Sequence, residues 1–438
     1  MTEIPSLELP IRDPALQSNM TQPDLPPAFW LLTILTGAAA GVAAGLLMRL
    51  LRLVERVTYH ANAGNFLADV VQSSGRRRIV ALALAGLLTS VVLALLRWRK
   101  ASTKPMVQAP AAAHHSPQNL AHALLSIVTV GMGAPLGREA ALKEAAAFIA
   151  ARFGSGFRLS AAQQQLLIAC GAGAGMAAAY NVPFGGAIFA VEVLLGTISL
   201  QSVTAALLTS CIATATSWLL LPNVVAYNVP AYHLTVSIVV FSVLAAPVFG
   251  VASAAFVSAI AWASRRHPHG WFAWTAPIIV LTSVGVAATT FPELLGNGKD
   301  AIQNTFLSRD SLRTLSFLVL LRPIATVASL RSGAVGGLFT PTMSLGAILG
   351  ALMGELWLRL PLPFPSVQFA TMPTSIFSLI GSGAVLAAGT QAPLSALIFL
   401  LELTRHVDAL TVPLVLSMAI ATLCHGFFLR GTIYSVRE

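Results

Sequence analysis

GAGAGMAAAYNVPFGGAIFAVEVL, residues 171–194, and GSGAVLAAGTQAPLSALIFLLELT, residues 381–404, agree at about nine of 24 positions at a constant offset of 210. Each copy reads as two short apolar helices interrupted by glycine and proline, over 162–179 and 184–195 in the first and 375–388 and 394–403 in the second. Duplicated segments of short, broken helices mark membrane transporters, and the substrate site in such proteins lies near the bilayer midplane where the two halves meet. The repeat therefore says where function resides.

The rest of the chain fits a bilayer. Hydrophobic residues make up 56% and charged residues 10%, with a mean hydropathy of +0.78, too apolar for a soluble domain of this size. Apolar runs over 29–53, 79–96, 203–221, 234–263, 274–289, 312–330 and 410–428 each approach the roughly 20 residues needed to span. A membrane barrel would instead alternate apolar and polar residues in ten-residue segments, and no such pattern is present. The expected fold class is an all-α polytopic membrane protein. Residues 1–28 are polar and proline-rich, with no signal-peptide pattern, and read as an N-terminal cytoplasmic tail preceding a membrane domain over 29–438. The repeats within that domain extend over about 79–221 and 271–430.

The net charge of +10 does not point to nucleic acid, because residues such as Arg76, Arg77, Arg78, Arg97, Arg99, Lys100, Arg265 and Arg266 scatter through loops. That scatter also leaves orientation undecided from loop charge. Cys170, Cys211 and Cys424 lie in apolar segments without metal-ligand spacing and read as small hydrophobes. His114 and His115 sit in a proline-bounded loop with no further ligands nearby, so neither metal nor cofactor is expected.

Upstream of each repeat copy is a second matched element. MGAPLGREAALKE from Met132 and SGAVGGLFTPTMSLGAILG from Ser332 align Gly133 with Gly333, Ala134 with Ala334 and Gly137 with Gly337, at an offset of 200. A glycine turn opening a helix leaves backbone N–H groups without intrahelical partners, and these converge on an anion. Amides, a hydroxyl and helix dipoles hold such an ion without a strong fixed cation, and so let it leave. Small residues also serve close helix packing, an alternative reading of the same glycines. Glu139 raises the functional reading, since a carboxylate at the mouth of a membrane helix is costly unless paired, hydrated or used. Ionised, it mimics a bound anion and blocks the site; protonated or displaced, it swings away. The competing reading is a helix-end glutamate paired with Arg138 or with Lys143 at i+4.

The GRE at 137–139, GGLFTP at 336–341, the paired 24-residue segments and GTIYS at 431–435 occur in an order that resembles the CLC family of chloride channels and chloride/proton antiporters, from about residue 79 to the end. The resemblance implies a CLC-type fold of two inverted-topology repeats of tilted, partly broken helices. It also implies a homodimer with one anion pathway per subunit and both termini cytoplasmic, in a bacterial inner membrane. Carried over, Glu139 is the external gate, Leu338 and Phe339 supply the amides around the central anion, and Tyr434 closes the pathway from inside. Gly137, Arg138 and Gly337 complete the anion-binding set of the two turns.

Three departures accompany the matches. Ala140 and Ala141 follow Glu139 where the family has Gly and Pro, making that turn more regularly helical. The family's other coordinating loop has its best counterpart in ASTKP at 101–105, which retains Ser102 and Pro105 but places Lys104 near the inner mouth; an ordinary cytoplasmic loop is the equal alternative. The acidic proton relay of family antiporters falls on Val193, beside Glu192, which aligns internally with Glu402. The expected function is a chloride channel or weakly coupled transporter of chloride and similar small inorganic anions. The alternative is a proton-coupled chloride or fluoride antiporter with Glu139 as proton carrier. A membrane enzyme using Glu139, Glu402 or His425 is disfavoured, with no HExxH or GxSxG motif. Regulation by cytoplasmic nucleotide-sensing domains is not expected, with four residues following Tyr434.

Overall fold

The computed structural model describes residues 25–60, 65–98, 117–157, 159–230, 234–266, 268, 270–359, 374–405 and 410–435. These form sixteen α-helices and no β-strand. The first eight are α1 (Pro27–Tyr59), α2 (Phe66–Gln72), α3 (Gly75–Trp98), α4 (Pro117–Gly131), α5 (Glu139–Gly156), α6 (Ala161–Tyr180), α7 (Pro183–Phe189) and α8 (Leu200–Ser217). The second eight are α9 (Val236–Arg265), α10 (Phe272–Ala287), α11 (Lys299–Phe306), α12 (Leu312–Ser332), α13 (Phe339–Trp357), α14 (Ser375–Thr390), α15 (Pro393–Thr404) and α16 (Thr411–Phe428).

The duplication seen in sequence is a duplication of packing. α5 lies along α6 as α13 lies along α14, and α1 packs on α6 and α8 as α9 packs on α14 and α16. The breaks recur in register. α6 ends on Asn181 and α14 on Gln391, both left-handed at φ 59° and φ 54°, and Pro183 and Pro393 then open the next short helix. Ser160 with Gln163 and Ser199 with Ser202 form capping boxes that start α6 and α8.

Among the described residues, five helices are long and apolar enough to cross a membrane: Pro27–Tyr59, Gly75–Leu96, Val236–Arg265, Leu312–Ser332 and Thr411–Phe428. At 33 residues α1 runs about 50 Å, against a hydrocarbon core about 30 Å thick, so its span is accommodated by tilt. Leu200, Leu219, Leu423 and Phe427 are among many large apolar side chains on the outer surface, a covering suited to lipid.

Close backbone approach decides where glycine is required. A β-carbon at Gly346 would overlap the Gly381 carbonyl, and one at Gly381 the Gly346 carbonyl, so α13 and α14 meet backbone to backbone. Replacing Gly346 with Val is therefore expected to lower stability by about 1–3 kcal/mol or more through overpacking, read as a drop in melting temperature of the detergent-purified protein.

Candidate anion site at the meeting of two glycine turns

The two turns that precede α5 and α13 touch each other. Gly133 and Gly333 adopt matching left-handed conformations, φ 106° and φ 103°, that few other residues tolerate. The Ala134 N–H donates to the Thr129 carbonyl (3.0 Å) as the Ala334 N–H does to that of Ser329 (3.1 Å). Gly137 and Gly337 then exchange two hydrogen bonds, N–H to carbonyl at 2.8 and 2.6 Å, in an isolated antiparallel bridge. The offset of 200 between the turns is thus a physical contact.

Neighbouring elements fix the first turn further. Tyr59 donates its hydroxyl to the Met132 carbonyl (2.8 Å), the Gly296 N–H to that of Gly133 (2.9 Å), and the Thr326 hydroxyl to that of Pro135 (2.8 Å). These bonds satisfy backbone groups that no helix serves and hold the turn in one geometry.

Glu139 is the first residue of α5, so Ala140 and Ala141 are helical, and its side chain is fully buried. Its carboxylate reaches across to the N-terminus of α13. Oε1 accepts from the N–H groups of Phe339 (2.7 Å) and Thr340 (3.3 Å), and Oε2 from the hydroxyls of Thr340 (3.2 Å) and Tyr180 (3.3 Å). The hydroxyls of Tyr180 and Thr340 are themselves 2.9 Å apart. The donors come from α13 and α6, and none of these bonds is made by Arg138 or Lys143. A carboxylate on the positive end of a helix dipole, held by charge-assisted bonds, occupies the position that helix termini offer to anions. A β-carbon at Gly337 or Gly137 would overlap it, so both glycines are needed for the carboxylate to seat.

The Phe339 side chain belongs to an aromatic cluster. Phe189 meets Phe339 (6.3 Å between centroids), Phe399 (6.3 Å) and Tyr434 (5.7 Å) edge to face. The C-terminal segment carrying Tyr434 is tied to α14 by the Ile433 N–H on the Gly389 carbonyl (2.9 Å). Lys143 is buried one turn along α5 from Glu139, with Nζ 4.4 Å from the Tyr434 centroid and 5.2 Å from that of Phe189. An ammonium thus lies among these aromatic rings. The signal available was LKE in a chain with 10% charged residues, yet sequence does not say which way a helical lysine turns.

The remaining candidates are placed as follows. Leu338 is buried at the N-cap of α13, its carbonyl accepting the Thr342 N–H (2.9 Å). Arg138 is buried, with its guanidinium 4.9 Å over the Tyr180 ring and within electrostatic range of Glu55 and Tyr227. Ser102 lies outside the described residues, as do Lys104, Pro105, His114 and His115. Val193 is half-buried in a π-helical turn, Ala190–Leu195, that continues α7. Its neighbour Glu192 accepts from the N–H groups of Leu394 (3.2 Å) and Ser395 (2.6 Å) at the start of α15. Glu402 does the same for Phe184 (3.1 Å) and Gly185 (2.6 Å) at the start of α7, so each half caps the other's short helix. His425 bridges Ser253 (3.1 Å) and the Gly431 carbonyl (3.0 Å), an interhelical polar contact. Tyr180 and Thr340 are the two donors that the sequence reading missed; Tyr180 is the polar residue of AAAYN and Thr340 that of LFTP.

Comparison with known proteins was made against this geometry. Residues 85–426 match the family described as "Voltage gated chloride channel". Voltage-gated ClC-type chloride channel ClcB of Escherichia coli (strain K12) is 29% identical over 422 residues, which cover 92% of this chain and 97% of that protein. Among solved structures, a slow cyanobacterial Cl−/H+ antiporter superposes with TM-score 0.79 at 20% identity, covering 94% of this chain and 97% of that one. A CLC-type fluoride/proton antiporter superposes with TM-score 0.73 at 20% identity, covering 94% and 98%. At these identities the structures establish a shared fold.

Proposed function

The chain belongs to the voltage-gated chloride channel family, and from that membership we propose that it moves chloride and similar small anions through a pathway gated by Glu139. The chain is thus a multi-pass membrane protein of a family of channels and transporters rather than enzymes. The observation that carries the gate assignment is the Glu139 carboxylate seated on the N-terminus of α13. An anion and a carboxylate compete for the same donors: the N–H groups of Phe339 and Thr340 and the hydroxyls of Thr340 and Tyr180. While the carboxylate holds them the pathway is shut. Protonation removes its charge, weakens all four bonds and yields the seat to a permeant ion.

In this reading Gly137 and Gly337 keep the seat clear of side chains, Leu338 and Phe339 set the amides, and Arg138 raises the potential near the gate. Tyr434, against Phe189, forms the inner constriction, and Ser102 belongs to the inner coordinating loop. The working unit is a homodimer with one pathway per subunit, in a bacterial inner membrane. Valine at 193 and the capping role of Glu192 favour a channel or weakly coupled transporter. Proton-coupled exchange of chloride or fluoride keeps the same gate and makes Glu139 the proton carrier; two proteins of this fold are described as proton antiporters.

Purified protein in chloride-loaded liposomes, with external chloride and pH recorded together, tests the reading. Chloride efflux without proton movement identifies a passive pathway. Efflux with uphill proton movement that Glu139→Ala abolishes identifies antiport. Absence of chloride efflux, or full proton coupling in Glu139→Ala, would sink the gate assignment.

A further inference from the structure

We infer that the end of the protein where α9, α10 and α12 meet binds the headgroup of an anionic phospholipid, held by Arg266 and Arg331 about the ring of Trp262. The site lies apart from the Glu139 gate and depends only on the chain's place in a membrane. α9 and α12 are each long and apolar enough to span, so their ends lie at the depth of lipid headgroups. α12 packs on both α9 and α10, and α3 joins them through its Ser90 hydroxyl, which donates to the Trp274 carbonyl (2.7 Å) at the start of α10. Trp262, in the last turn of α9, is 48% exposed. The guanidinium of Arg331 is 5.0 Å from its ring centroid and that of Arg266 5.9 Å. Trp271, Phe272 and Trp274 are exposed in the connection that follows and in the first turn of α10, the side chains that populate a membrane interface.

Two like charges share one indole, and these helices offer no countercharge. No aspartate or glutamate occurs between Glu192 and Glu293 or between Asp310 and Glu355, stretches that include all of α9, α10 and α12. Among the described residues neither guanidinium has an ion pair. Arg331 Nη1 is buried without a hydrogen bond, as are the hydroxyls of Ser264 in the last turn of α9 and Thr275 in the first turn of α10. Buried polar atoms left so are costly, and the C-terminal dipoles of α9 and α12 offset only part of the charge. Arg77 and Arg78, at the other end of α3, differ: their guanidiniums donate to the carbonyls of Thr58, Val57, Val70 and Ala288 and need nothing from outside the chain. A phosphodiester brings a negative charge and several acceptor oxygens at once, in the geometry that guanidiniums pair with two N–H groups at a time. The exposed rings favour a lipid over a soluble phosphate, since they pack on its glycerol and acyl groups. A second copy of the chain fits poorly, because a two-fold contact would set this positive patch against itself.

The test uses detergent-purified, lipid-stripped protein titrated with phosphatidylglycerol or phosphatidylcholine, with bound lipid counted by native mass spectrometry. Wild-type protein is expected to bind phosphatidylglycerol at least about tenfold more tightly than phosphatidylcholine. The double variant Arg266→Gln/Arg331→Gln is expected to bring the two lipids within about twofold of each other. Arg309→Gln, the same change of charge at an exposed position before α12, should keep the wild-type preference. If the double variant fails to fold, the exposed Arg266 decides alone: Arg266→Gln is expected to lose about threefold or more of the preference, and an unchanged value overturns the inference. Equal binding of both lipids by the wild type overturns it too, leaving an ordinary aromatic belt, as does a preference that survives in the double variant. Glycerol phosphate carries the headgroup chemistry without acyl chains. Displacement of phosphatidylglycerol by glycerol phosphate at similar concentration would make this a site for soluble phosphate and overturn the lipid assignment; failure to compete supports it.

Discussion

Gly337→Ala is expected to abolish anion movement, whereas Glu139→Ala preserves it. The methyl group of alanine at 337 would overlap the Glu139 carboxylate at the α13 terminus, and an anion on the same donors meets the same obstruction. Losing two charge-assisted hydrogen bonds at about 1.5–3 kcal/mol each corresponds to a fall in site occupancy of about 100-fold or more, at 1.4 kcal/mol per decade. Glu139→Ala empties the seat and leaves its donors in place. The double variant then separates blocking from gating. With the carboxylate gone, Gly337→Ala still closes the pathway if the seat is where the ion rests. Chloride efflux from liposomes at wild-type rates in the double variant would place the ion elsewhere.

The second large effect is on stability. Glu192 and Glu402 each hold two backbone N–H groups at the start of a short helix in the opposite half. Replacing either by alanine leaves those donors without a partner, at a cost of about 2–4 kcal/mol. Glu192 also accepts from the Ser395 hydroxyl (2.6 Å), so the loss is expected to be somewhat larger for Glu192→Ala than for Glu402→Ala, read as decreases in melting temperature. Glu192→Gln keeps an acceptor oxygen and should lose less. The same experiment addresses proton movement: a capping Glu192 predicts that Glu192→Gln leaves any chloride/proton stoichiometry unchanged. A shifted stoichiometry at wild-type stability would reassign it as a relay.

Much of this was legible because duplicated sequence reports duplicated geometry. The offsets of 210 and 200 paired Asn181 with Gln391, Pro183 with Pro393, Glu192 with Glu402 and Gly137 with Gly337, and each pair occupies equivalent or touching positions. Glu139 stood out because a carboxylate in an apolar, glycine-flanked context carries a large energetic penalty. What sequence did not show was direction. Glu139 reaches α13 rather than Arg138 or Lys143, and Tyr180 and Thr340 complete its seat from 41 and 201 residues away in sequence. Lys143 was equally opaque, since the same residue at i+4 serves a surface ion pair or a buried charge depending on rotation about α5. The correspondence of α1 with α9 shows in packing alone, because lipid-facing helices require apolarity and little else.

The bridge between Gly137 and Gly337 bears on how the protein moves. Its two hydrogen bonds stitch the halves together beside the Glu139 seat. A joint there opposes rocking of the halves about the site, the motion by which many repeat transporters expose theirs to each side in turn. Exposure then falls to single side chains turning within a still frame. Rotamer changes of free side chains take picoseconds to nanoseconds, against microseconds to milliseconds for domain motions. Under the proposed gating, the pace is set by how seldom the Glu139 carboxylate leaves its donors, and each bond added to or taken from that seat should change it without reshaping the fold.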